Sequence, residues 1–194
     1  MQDVIVERLT DRTEGLRSLA LLRMSVFRDW PYLYDGDDAH EEAYLREFLA
    51  SEQAALILAR VDDMPVGMAT ASPLADQPES LTGPLAAAGV EIDAGFYFGE
   101  SVLLPKFRGF GIGHKFFEAR EAAARDAGAR HAVFCAVKRD PLDARRPSDA
   151  RDLAPFWHGR GYTMLEGAVC HMSWKEVGHA DETSQLMQFW LKTL

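Results

Sequence analysis

The sequence predicts an α/β fold: one central, twisted, mixed sheet, partly antiparallel and partly parallel, flanked by helices. Three observations predict it. Apolar and β-branched runs of strand length alternate with segments of helical periodicity. Two neighbouring apolar runs, Ala55–Ala59 and Pro65–Thr70, face each other across Asp62-Asp63 as a hairpin, which makes part of the sheet antiparallel. Further on, a strand ending near Leu104 passes through a glycine-rich turn into a long amphipathic helix. A chain of 194 residues is large enough for one buried core and short for two, so a single domain over 1–194 is expected.

Each element has its own warrant. Val4–Leu9 has the β-branched content of a strand. Thr10 or Asp11 can cap a helix running to about Arg28, with Leu16, Leu19, Leu22 and Val26 at helical spacing. Pro31 and Asp35-Gly36 mark 30–38 as irregular, and His40–Ala50 reads as a short helix with Tyr44, Leu45, Phe48 and Leu49 on one side. Residues 72–93 carry three prolines and two glycines and are expected to form a long irregular insertion, followed by a strand from about Gly95 to Leu104. The next helix turns Ile112, Phe116, Ala119, Ala123 and Ala127 to one face and Glu118, Glu121 and Arg125 to the other, and Gly128 ends it. His131–Val137 is a strand and 139–147 an Arg- and Pro-rich loop. Ser148 or Asp149 should cap a helix carrying Leu153, Phe156 and Trp157, and strands at Tyr162–Trp174 and Leu186–Lys192 close the order.

Bulk properties narrow the function classes. The hydrophobic share of 47% and charged share of 26% are those of a globular domain, and no apolar run reaches the roughly 20 residues of a membrane span. The start, Met1-Gln2-Asp3, lacks the basic residues and apolar core of a signal peptide. Two unpaired cysteines, Cys135 and Cys170, suit a reducing cytoplasmic setting and offer neither a disulfide framework nor a metal site. A net charge of -9 argues against nucleic acid as partner and suits a cationic small molecule. Nothing in the composition sets the oligomeric state, and a homodimer stays open.

The turn after the central strand carries the chemistry. In Arg108-Gly109-Phe110-Gly111-Ile112-Gly113, glycines leave the backbone bare at a helix start, where unpaired N–H groups and the helix dipole favour a phosphate or pyrophosphate. The third glycine of a dinucleotide fingerprint is absent, and Lys115 lacks the neighbours of a P-loop lysine. What remains is Arg108-x-x-Gly111-x-Gly113 after an apolar strand and Pro105. This resembles the acetyl-CoA pyrophosphate loop of the GNAT superfamily of N-acetyltransferases, and Phe107 to Gly113 is similar to the loop of spermidine/spermine acetyltransferases.

The resemblance implies a site. Backbone amides of Arg108, Gly109, Phe110, Gly111, Ile112, Gly113 and His114 would hold the pyrophosphate of acetyl-CoA, the co-substrate, and Val102 and Leu103 would line its pantetheine arm. Glu100 on the same strand is the candidate for accepting the acceptor amine's proton, with Gly99 where the spermidine-type enzymes carry a second acid; a surface or cross-strand carboxylate is the alternative reading of Glu100. Trp30, Tyr32, Tyr34 and Asp35, with Asp37 and Asp38, lie in the segment that borders the acceptor cleft in this family, and rings with carboxylates can hold a cation. At the position where many members carry a proton-donating Tyr, this chain has Trp157, whose indole N–H is no acid near neutral pH.

Other constellations carry less. His131 and Cys135 are separated by about 13 Å along a strand, too far for a nucleophile–base pair. Arg139, Arg145 and Arg146 could meet a cofactor phosphate, though an exposed basic loop is the simpler expectation. The expected activity is direct acetyl transfer from acetyl-CoA to a small-molecule primary amine. The alternatives are a catalytically silent acyl-CoA-binding regulatory module and a protein lysine or N-terminal acetyltransferase. The acceptor and the acyl-chain preference are not readable from the residues.

Overall fold

Strand-forming runs become β1 (Ile5–Arg8), β2 (Ala55–Val61), β3 (Met64–Pro73), β4 (Gly95–Leu103), β5 (His131–Val137), β6 (Thr163–Lys175) and β7 (Glu182–Thr193). The helices are α1 (Leu16–Phe27), α2 (Asp38–Phe48), α3 (Glu79–Ala87), α4 (Ile112–Asp126) and α5 (Ala154–Gly159). The structure is a computed structural model. It describes residues 3–11 and 16–194, the side chains of Asp38 and Ala39 excepted. The capped start expected for α1 after Asp11 and the leader reading at Met1-Gln2 lie outside the described residues.

The strands form one mixed sheet in the order β1-β2-β3-β4-β5-β7-β6. Every adjacent pair is antiparallel except β4 and β5, which run parallel. Helices cover both faces. Along β2, Leu56 joins α1 and α2 in one apolar cluster while the next residue, Ile57, joins the α4 cluster on the other face. This is the alternation of a strand buried on both sides, and it explains the unbroken apolar run from Ala55 to Ala59. Among the described residues, no helix is long and apolar enough to cross a membrane.

Several expectations are corrected. Residues 72–93 are ordered: two 3-10 turns, Leu74–Asp76 and Ile92–Ala94, flank helix α3. Pro78 sits at its N-cap, and the helix forms because Leu81 and Leu85 bury in the cluster beneath β6 despite Pro84 in its interior. Tertiary burial overrides propensity there. Neither Ser148 nor Asp149 caps helix α5: its N-cap is Leu153, and Asp152 just before it accepts the Ala154 N–H on Oδ1 at 2.9 Å. Glu121, expected on the open side of α4, is buried with Arg160 and Lys192 around it. Through Glu121 the helix also reaches Lys192 of β7, so it buries more than one stripe.

Leu85 is fully buried, so Leu85→Ala should cost about 2–5 kcal/mol in equilibrium denaturation. A loss well below about 1 kcal/mol would show that α3 is not docked on the sheet.

Candidate functional site

The sheet divides at its one parallel pair. The β4–β5 ladder joins Gly95, Phe96 and Tyr97 to His131, Ala132 and Val133. Beyond it β4 continues to Leu103 and β5 to Val137 with no further pairing between them among the described residues. The strands therefore fork, and one edge of β4 from Phe98 onward faces the gap. A turn, Pro105–Phe107, leads from the end of β4 into the glycine segment.

Gly109 and Gly111 have φ of 87° and 80°, the left-handed region that side chains avoid. A Cβ at either would meet nothing within 4 Å, so backbone conformation and not crowding calls for glycine. The Arg108 side chain folds back, its Nε donating to the Leu103 carbonyl at 3.1 Å. His114 is the first residue of α4 whose N–H finds a carbonyl, that of Gly111 at 3.0 Å. Among the described residues, the N–H groups of 109–113 have no backbone acceptor. Several open amides at the N-terminus of a 15-residue helix fit a diphosphate.

Midway along β4 the ladder with β3 slips. Ala69 pairs with Ser101 but Ala71 with Phe98, so Gly99 and Glu100 together oppose Thr70. This bulge re-aims side chains. Phe98 packs on the α4 side with Phe117, whereas Glu100 turns to the α1–α2 side. Glu100 N–H donates to Thr70 Oγ1 at 3.2 Å. A Cβ on Gly99 would lie 2.5 Å from that same Oγ1 and 3.0 Å from Phe48 Cζ. A second acid at position 99 would not fit.

Glu100 is 6% exposed. Its Oε2 pairs with Arg23 Nη1 at 2.6 Å and accepts the Tyr44 hydroxyl at 3.2 Å; Oε1 is buried with no hydrogen-bond partner among the described residues. Arg23 also donates from Nε to Glu41 Oε2 at 2.5 Å, and Tyr34 donates its hydroxyl to Glu41 Oε1 at 2.5 Å. Burial lowers the Arg23 pKa, but Glu100, Tyr44 and Glu41 outweigh it and hold the guanidinium above its ordinary value. From the opposite face Arg120 donates to the Glu100 carbonyl at 3.4 Å, its guanidinium lying over the rings of Phe98 and Phe117 at 4.5 and 4.7 Å. Burial pushes Arg120 down to about 10.

A cleft of about 350 Å³ opens beside this cluster, lined by Tyr44 and Phe48 of α2, Ser80 and Leu81 of α3, Tyr97 of β4 and Met172 of β6. Tyr97 is the last β4 residue paired to β5, so the cleft sits where the strands part. An adjoining hollow shares Tyr44, Phe48, Gln77 and Pro78 and adds the carboxylates of Glu47, Glu52, Asp76 and Asp93. The pair of spaces is apolar near Tyr97 and acidic toward the outside.

The residues singled out in the sequence are placed as follows. Val102 is buried on the α1–α2 side and Leu103 half-buried against the α4 cluster. Trp30, Tyr32, Tyr34 and Asp35 do not line the cleft. Trp30 lies under Arg139, and the Tyr32 carbonyl accepts from Arg139 and from Trp174 Nε1. Asp35 pairs with Arg28 and Lys175, which lower its pKa. Asp37 Oδ1 accepts the His40 N–H at 3.2 Å, and the Asp38 side chain is outside the described set. Arg139 is no exposed loop residue: it is buried against Glu176, which also pairs with Arg145. Trp157 packs edge-on against Phe134 and Trp190 at 5.1 and 4.9 Å.

Arg23, Glu41, Arg120 and Tyr44 went unremarked as site residues, although the three charged ones leave a signal. Arg23 follows Leu19 by four, Glu41 precedes Leu45 by four, and Arg120 follows Phe116 by four. Each charge stands within an apolar helical stripe, where it must find a buried partner.

Comparison with known proteins agrees with this fold. A family model described as the acetyltransferase (GNAT) family matches residues 21–146. The fold is similar to that of ribosomal-protein-alanine N-acetyltransferase from Brucella melitensis, with a TM-score of 0.63, 13% identity, and 98% of this chain and 99% of that chain covered. It is also similar to PaiA N-acetyltransferase from Thermoplasma acidophilum in complex with coenzyme A (TM-score 0.55, 12% identity, 98% and 99% covered). A third is the aminoglycoside N-acetyltransferase AAC(6')-Iy in complex with CoA (TM-score 0.52, 19% identity, 72% and 78% covered). No curated protein gives a match.

Two outcomes follow from the bulge and the ion cluster. Gly99→Ala should destabilise the protein by roughly 1–3 kcal/mol through overpacking. Adding Thr70→Ala should recover part of that loss, and full additivity in a double-mutant cycle would contradict the contact. Arg23→Met leaves two carboxylates buried without their cation and should cost about 3–5 kcal/mol by denaturant titration.

Proposed function

We propose that this chain, which belongs to the acetyltransferase (GNAT) family, transfers an acetyl group from acetyl-CoA directly to the primary amine of a small molecule. The observation that carries the reading is the fork of β4 and β5, with bare amides at the α4 end and Glu100 at its side. The amides of 109–113 would hold the diphosphate, those of Arg108 and His114 being taken by the Pro105 and Gly111 carbonyls, and the open edge of β4 through Val102 and Leu103 would meet the pantetheine arm. Acetyl-CoA supplies an activated thioester; an amide on that edge offers a donor to the oxygen on which charge grows as the amine attacks.

A primary amine is mostly protonated at neutral pH and must lose a proton before it attacks. Glu100, beside the fork on β4, would be the final acceptor of that proton. The acidic hollow beside the cleft attracts cations, and the aromatic lining suits a small organic body. Trp157, packed on Phe134 and Trp190, leaves the departing thiolate to take its proton from another donor.

Thiol release from acetyl-CoA should appear with at least one member of a panel of alkylamines, aralkylamines, amino acids, polyamines and aminoglycosides. Glu100→Gln should lower that rate about 100-fold or more with CoA affinity retained. Gly111→Val should weaken CoA binding about tenfold or more in calorimetry, because a β-branched residue resists φ near +80°. CoA binding with no amine-dependent turnover would support a catalytically silent binding module instead.

A further inference from the structure

We infer that Tyr44 is a catalytic residue that relays the acceptor's proton from the cleft to Glu100. The inference rests on the acetyl transfer proposed above and names the group that touches the amine. Glu100 is sealed: it is 6% exposed and is not among the residues that line the cleft. Tyr44 does line the cleft, and its hydroxyl donates to Glu100 Oε2 at 3.2 Å. With its proton committed to the carboxylate, the phenol oxygen has lone pairs left to accept an N–H from the cleft side. Its ring is held in place by the Arg23 guanidinium at 4.4 Å and the Phe48 ring at 6.2 Å.

Glu100 stands in a buried ion cluster with Arg23. Glu41 and Glu100 are both buried and share one guanidinium, that of Arg23. The other ionisable groups packed around the pair and Tyr44 are Tyr32, Tyr34, Tyr97 and, across the sheet, Arg120, which bonds the Glu100 backbone carbonyl. Burial and the neighbouring carboxylate raise the Tyr44 pKa, so the phenol gives its proton only as it receives another.

The steps balance. The ammonium gives a proton to Tyr44 Oη while the Tyr44 proton moves to a Glu100 oxygen. The nitrogen lone pair so freed forms the C–N bond as the C–S bond breaks, the sulfur keeping the electron pair. The thiolate takes up one proton in exchange for the second that leaves nitrogen, and Glu100 returns its proton to water through Tyr44.

The test is Tyr44→Phe, which keeps the ring and its packing, with folding checked by an unchanged melting temperature. At pH 7 its turnover with the best amine of the panel should be about 100-fold below wild type. That deficit should shrink toward pH 10, where much of the amine is already neutral. In a separate measurement without acetyl-CoA, calorimetry with 2-phenylethylammonium should show binding about tenfold weaker in the variant than in wild type. A deficit equal at every pH would mean a structural role and overturn the relay, as would wild-type turnover or wild-type ammonium affinity in the variant. Absence of turnover in the wild-type protein itself would overturn the proposed reaction, and the relay with it.

Discussion

Two residues of β4 against one of β3 is the constraint on which the site depends. Without the bulge, Phe98 and Glu100 would share a face of the sheet, two positions apart. The slip at Thr70 sends the phenyl ring into the α4 side and the carboxylate toward α1 and α2. It also leaves a carbonyl turned out of the ladder, and Arg120 reaches it from below. Extra residues of this kind cost pairing, and strands keep them where a side chain must be re-aimed. Here the glycine at 99 is the piece that lets it form, since any Cβ would run into Thr70.

The second constraint is electrostatic. Three buried ionised side chains, Arg23, Glu41 and Glu100, come from α1, α2 and β4, and Tyr34 and Tyr44 add hydroxyl donors. Isolated charges in such a place would be prohibitive, and pairing with complete hydrogen bonding is what makes them tolerable. The arrangement is complete except at one oxygen of Glu100. Two helices are thereby tied to β4, so the position of Glu100 is set by the packing of three elements and not by its own strand alone.

Much of this was legible in the residues. The hairpin, the glycine turn, the long helix after it and the mixed sheet follow from patterns of spacing that act over fewer than twenty residues. Helix α3 was not legible because its prolines and glycines argue for a loop, and only burial of Leu81 and Leu85 overrides them. Register is equally invisible: nothing in Gly99-Glu100 announces that both oppose Thr70. At 30–38, nothing in the composition shows that Asp35 pairs with Arg28 and Lys175 or that the Tyr32 carbonyl accepts from Arg139 and Trp174. The groups that surround Glu100 come from helices read as plain core, and charges at apolar spacing were their one trace.

Glu176 couples parts of the molecule distant in sequence. Buried at the end of β6, it grips Arg139 and Arg145 from one long loop, and its backbone bridges to Tyr34 in another. Arg139 in turn binds the carbonyls of Pro31 and Tyr32. The two loops are thus moored to one post and to each other. Each loop braces the other, and Glu176 and Arg139 are the two side chains through which they are joined.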